Sequence, residues 1–209
     1  MPTKLIIPGL NGSSEGHWQD YWLKDDPDAI LVEQRDWSKP DLIEWMSTVE
    51  KALTQHPGSI LIAHSIGAFI AASLATRPSR HLVKGALLVA PCDLMRVSSI
   101  YPGAVELRPM PAQTLPFPSI LVASRNDPYM PFENAKVFAD SLGSDFVDLG
   151  RAGHVNIESG YATGSRPVWN VTPMPMARMA DRAFSKRCSG WKAGERSAAH
   201  GPTRIVNFC

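Results

Sequence analysis

The sequence predicts an α/β fold of three layers, with about six strands in a mostly parallel sheet and helices on both faces. Short apolar runs of strand length alternate with segments of helical periodicity, the order of a doubly wound sheet. The runs are also nearly continuous in apolar character, as expected of strands covered on both sides. A length of 209 residues suits one domain with a substantial core.

Six segments read as strands: Lys4–Pro8, Ala29–Val32, Ile60–His64, Ala86–Ala90, Ser119–Ser124 and Asp145–Leu149. Between them, Asp41–Gln55 puts Leu42, Trp45, Met46, Val49 and Leu53 at helical spacing, with Asp41 just after Pro40 as a start signal. Ile66–Arg77 is a second helix, dense in alanine and ended by Pro78. Phe132–Leu142, bounded by Gly143, is a third. His17 and Trp18 open another, and Trp18 and Trp22, four apart, share its buried face. Residues 91–118 carry six prolines, so no long regular element is expected there. That stretch reads first as a link between elements and second as a lid over a pocket.

The formal net charge of +1 argues against a polyanion engaged by the whole surface. Charge is nonetheless uneven. Residues 162–209 hold eight Lys and Arg against two Asp and Glu, while residues 1–161 hold 13 against 18. The first eight residues lack a secretory pattern, and no apolar run approaches the roughly 20 residues that cross a bilayer. Cys92, Cys188 and Cys209 show no metal-ligand spacing and read as reduced thiols. The expected address is the cytoplasm, without membrane or nucleic-acid partners.

Ser65 stands where a buried-strand pattern runs into a small-residue helix, in Ala63-His-Ser-Ile-Gly67. A serine on such a turn is forced outward above the sheet edge, and the positions two before and two after it must be small. Ala63 adds a methyl group where glycine is usual. The Ile66 amide lies at the helix N-terminus, where unpaired N–H groups favour an anion. His64, next to Ser65, is expected to point away along the strand and to be structural.

An acid and then a histidine should follow, each just past a strand. Asp127 follows the run 119–124, and His154 follows 145–149. Asp127 would fix the imidazole tautomer that accepts the serine proton. Asp93 is the fallback acid; His81 and His200 lack suitable settings. In the first loop, Pro8-Gly9-Leu10-Asn11-Gly12, the Leu10 amide, with or without that of Asn11, would pair with Ile66 N–H around an oxyanion. Asn11 and His17 are the expected substrate-binding residues. No metal or organic cofactor is called for.

Several motifs occur in one order: Pro8-Gly9 with His17-Trp18, Trp37 before Pro40, Ala63-His-Ser-Ile-Gly67, Ala86-Leu-Leu-Val-Ala-Pro91, Ser124-Arg-Asn-Asp-Pro128 and Gly153-His-Val-Asn156. Across about residues 4–161 the chain resembles the small serine hydrolases related to retinoblastoma-binding protein nine. The resemblance implies an α/β-hydrolase without a large cap domain, a triad of Ser65, Asp127 and His154, and weak esterase activity. The tail after Tyr161 does not resemble that family. No Leu-x-Cys-x-Glu element is present, so a retinoblastoma-type partner is not implied.

The expected organisation is therefore a hydrolase domain over 1–161 and an atypical basic segment over 162–209. Within that segment the spacing of Met176, Met179, Ala180, Ala183 and Phe184 predicts a helix over 174–187, followed by a poorly ordered end. The expected activity is hydrolysis of a small carboxylic ester through an acyl-enzyme. Two rivals are a hydrolase-fold protein acting mainly by protein–protein contact, and a thiol enzyme using Cys92.

Overall fold

In the computed structural model, which describes residues 2–161, six strands form one sheet in the order β2-β1-β3-β4-β5-β6, every pair parallel. They are β1 (Lys4–Ile7), β2 (Ala29–Leu31), β3 (Ser59–His64), β4 (Val83–Val89), β5 (Ser119–Ala123) and β6 (Asp145–Asp148). Each expected strand is present, shifted by at most three residues at an end. The helix predicted over 174–187 and the tail beyond it lie outside the described residues.

The continuous apolar runs resolve into two faces with the period of the pleat. Leu5, Ile7, Leu61, Ala63, Ala86, Leu88, Leu121 and Ala123 join one buried cluster. Ile6, Ile60, Ile62, Leu87, Val89, Ile120 and Val122 join another. The first face is covered by α2 (Leu42–Gln55), α3 (Ile66–Ser73), α4 (Leu94–Ile100) and α5 (Phe132–Leu142). The second packs against α1 (Trp18–Asp25), through Trp18 and Trp22. Helices on both faces of a parallel sheet, with β3 leading into α3 at its centre, are the α/β-hydrolase architecture.

Local signals account for the helix ends. The Asp41 carboxylate caps α2, accepting from the amides of Ile43 and Glu44 at 3.0 Å each. Gly143, in the left-handed region, ends α5. The α-helix expected over 66–77 stops at Ser73 and continues as a 3₁₀ turn over Leu74–Thr76. α4 departs from the expectation of no long regular element over 91–118. It fits a window free of proline between Pro91 and Pro102, where Asp93 caps it by accepting from the Met95 amide at 2.9 Å. Among the described residues, no helix is long and apolar enough to cross a membrane.

Candidate active site

The turn from β3 into α3 holds Ser65 at φ 54°, a conformation that L side chains adopt only under constraint. Two glycines make room for it. A Cβ on Gly67 would collide with the backbone carbonyls of Ile7 and Pro8, so only glycine lets α3 start this close to β1. A Cβ on Gly9 would lie 2.6 Å from the Ser65 Cβ. Gly9 is thus required by the serine itself. Ala63, the departure from glycine, is accommodated within the buried cluster.

Asp127 and His154 leave β5 and β6 and converge on Ser65. The Nδ1 of His154 is 2.9 Å from Oδ2 and 3.1 Å from Oδ1 of Asp127, and its Nε2 is 2.9 Å from the Ser65 Oγ. With Nδ1–H donating to the carboxylate, Nε2 is left to accept from the serine hydroxyl. All three residues are at most 9% exposed, so water competes little for these bonds. The two loops that carry Asp127 and His154 are tied together. Ser124 Oγ accepts from the Ala152 amide and Asn126 Oδ1 from the Gly153 amide, each at 2.9 Å.

His154 is also held through its main chain. His64 Nε2–H donates to the His154 carbonyl and Trp18 Nε1–H to the Val155 carbonyl, both at 2.9 Å. The His154 amide donates to Ser159 Oγ at 3.0 Å. His64 therefore does point away from Ser65, but it braces the histidine opposite, a role the sequence does not reveal. Burial, with His154 and His17 nearby, keeps its imidazole well below 6.5 and so neutral. Tyr129 stacks edge-on against His154 at 4.5 Å between ring centroids.

The amides of Leu10 and Ile66 have no partner among the described residues, and both residues line the cavity that contains Ser65 and His154. The Asn11 amide does not join them, because it donates to the Trp37 carbonyl at 2.7 Å. Asn11 and His17 both line this cavity, whose volume is about 470 Å³. The 91–118 stretch is more than a link: Val97, Tyr101 and Ala104 form part of the cavity wall. A larger open groove of about 670 Å³ lies over α2 and α3 and includes none of Ser65, Asp127 or His154. Size alone does not make it the reaction site.

The remaining candidates do not suit the chemistry. Asp93 is spent as the α4 cap. His81 is on the surface, bonded to the Pro78 carbonyl at 2.7 Å. Cys92 is wholly buried, and burial pushes its thiol up to about 12, so it stays protonated and is a poor nucleophile. Among the described residues, no group of three or more His, Cys, Asp or Glu is arranged to hold a metal ion.

The family model described as serine hydrolase matches residues 4–168. A YdeN-like hydrolase from Pectobacterium atrosepticum is 31% identical, with a TM-score of 0.72 over 88% of this chain and 92% of that one. The ydeN gene product of Bacillus subtilis is 20% identical, with a TM-score of 0.61 over 85% of this chain and 100% of that one. The Mycobacterium tuberculosis protein BpoC, described as a non-heme bromoperoxidase, is 12% identical with a TM-score of 0.61, over 88% of this chain and 93% of that one. The last two likenesses speak to fold alone. No curated protein matches the chain. These relatives support the broad family rather than the narrower likeness to retinoblastoma-binding protein nine.

Proposed function

We propose that this chain, which belongs to the serine hydrolase family, cleaves small carboxylic esters through an acyl-enzyme formed on Ser65. The supporting observation is the unbroken run of hydrogen bonds from Asp127 through His154 to Ser65, ending at a cavity where two amides are unengaged. Ser65 Oγ attacks the ester carbonyl as its proton passes to His154 Nε2. The carbonyl oxygen takes up the electron pair, and the Leu10 and Ile66 amides stabilise it. One such donor is worth roughly 100- to 1,000-fold in turnover. Collapse of the intermediate expels the alcohol with the proton from His154. Water then repeats the sequence and frees Ser65.

A cavity of about 470 Å³ suits a small molecule, and no cap domain stands over it among the described residues. The activity is assigned to residues 1–161, with a cytoplasmic address and no nucleic-acid or retinoblastoma-type partner. The test is hydrolysis of p-nitrophenyl acetate and butyrate by wild type, Ser65→Ala and Asp127→Asn, with thioester and anilide analogues alongside. Ser65→Ala should fall to background and Asp127→Asn by up to about 10,000-fold. Ester turnover that survives Ser65→Ala would overturn the proposal. Faster cleavage of the thioester or anilide would overturn the ester assignment.

A further inference from the structure

We infer that the site prefers esters carrying a second oxygen acceptor, and that His17 recognises that oxygen by donating its Nε2–H. This rests on Ser65 as the nucleophile and names the substrate class of that same site.

The His17 side chain caps α1, with Nδ1 accepting from the Gln19 amide at 3.2 Å. An N–H aimed at Nδ1 makes that nitrogen an acceptor, so the ring's single proton sits on Nε2. No hydrogen bond among the described residues uses Nε2–H. The enclosed side-chain polar atoms that lack a partner belong to Gln34, so the His17 Nε2 is not enclosed. On this reading it faces the cavity that His17 lines together with Ser65. His17 as a whole is 5% exposed. A polar side chain this buried, with an unused donor facing a cavity, is built to meet a ligand.

The ring is also held in place. Gln19, wholly buried, donates from Nε2 to the Ile62 carbonyl at 2.9 Å and accepts from Ser13 Oγ at 2.6 Å. These bonds fix the first turn of α1 against the sheet and set the direction of the donor before anything binds. Burial first, then the neighbouring His154, keeps the His17 imidazole down at about 4, with Asp20 opposing. The donor is therefore neutral at neutral pH. It suits an ether, hydroxyl or carbonyl oxygen and does not repel the imidazolium that forms on His154.

Topology places a contrasting surface on the other flank of Ser65. In the sheet β3 lies between β1 and β4. The loop after β1 and the start of α1 bring Asn11, Ser14 and His17, whereas the segment after β4 brings Val97, Tyr101 and Ala104. The first set is polar and the second chiefly apolar, with Leu10, Asn156, Ile157 and Glu158 also in the wall. An ester with an oxygen on one arm and hydrocarbon on the other satisfies both.

The test uses pairs that differ by one oxygen for one methylene: p-nitrophenyl methoxyacetate against p-nitrophenyl butyrate, and methoxyethyl acetate against butyl acetate. Wild type, His17→Phe and His17→Gln are compared by kcat/KM, with melting temperatures recorded. His17→Phe should lose roughly tenfold more on the oxygen-bearing member of at least one pair, the worth of one hydrogen bond. His17→Gln, which keeps an N–H, should recover part of that difference. Equal losses within both pairs would overturn the inference. Where His17→Phe does not fold, the wild-type preference within each pair decides, after correction for alkaline hydrolysis rates. A preference near tenfold supports the inference and none overturns it. Ser65→Ala runs in parallel: Ser65-dependent turnover without pair discrimination removes the subsite alone, and absence of such turnover removes the mechanism as well.

Discussion

The Nε2 of His64 lies 2.9 Å from the carbonyl oxygen of His154, so the residue preceding Ser65 braces the main chain of the histidine hydrogen-bonded to it. Trp18 does the same one residue further on, at Val155, which is held at φ 51°. The His64 ring also packs against the His154 imidazole, with centroids 4.9 Å apart. Removing either bond should let the imidazole drift. His64→Phe and Trp18→Phe are expected to lower kcat about tenfold to a hundredfold with a smaller change in KM. His64→Gln, which can still donate, should lose less than His64→Phe. Steady-state kinetics with melting temperatures check this; an equal fall in kcat for His64→Gln and His64→Phe would contradict it.

Gly67→Ala should be among the most damaging single-methyl changes in the chain. The added Cβ meets the Ile7 and Pro8 carbonyls, which belong to β1 and the loop after it and cannot retreat. A loss of about 3 kcal/mol is expected. Gly103→Ala makes a matched control, with a positive φ but nothing within 4 Å of the new methyl. It should lose about 1 kcal/mol. Urea denaturation of both separates collision from backbone strain.

Acid should destabilise the fold well above the range in which carboxylates titrate. His17 and His64 are both neutral in the folded protein, with His17 at about 4 and His64 held well below 6.5. The unfolded chain takes up their protons near 6.5, so it binds more protons than the native state below that pH. Stability then rises with pH across this window and falls as pH drops toward 4. Between pH 7.5 and 5.5 the two should together remove roughly 2–3 kcal/mol. The drop should shrink by about half in His17→Gln. A denaturation midpoint that does not move between these pH values would contradict the assignment.

Gln34 is the opposite case, a buried amide whose Oε1 and Nε2 both lack a partner among the described residues. Such groups cost stability, since they give up water without replacement bonds. Gln34→Leu, similar in volume, is expected to raise stability by about 1 kcal/mol. Thermal unfolding measures it. A lower melting temperature for the variant would show that the amide is satisfied in solution.

Much of this was legible in the residues. Continuous apolar runs marked the six strands because both faces of the sheet are covered, and Asp41 and Gly143 marked helix ends by their own chemistry. The convergence of Ser65, Asp127 and His154 was legible by order, since each follows a strand of one parallel sheet. What stayed hidden depends on contacts between distant parts of the chain. His64 and His154 are 90 residues apart, and Trp18 and Val155 are 137 apart, so no local pattern announces either bond. The Asn11 amide suits an oxyanion donor by its place in the loop, but the Trp37 carbonyl, 26 residues on, occupies it. α4 was concealed by the prolines around it, although its seven residues contain none.

The central claim is that Ser65 is a nucleophile activated by His154, and covalent labelling tests it most directly. Wild-type protein is treated with a fluorophosphonate, and the modified residue is located by peptide mass spectrometry. A single adduct on Ser65, slowed strongly in His154→Ala and absent in Ser65→Ala, is the expected result. Folded wild-type protein that takes no label, or carries it on a residue other than Ser65, would contradict the account.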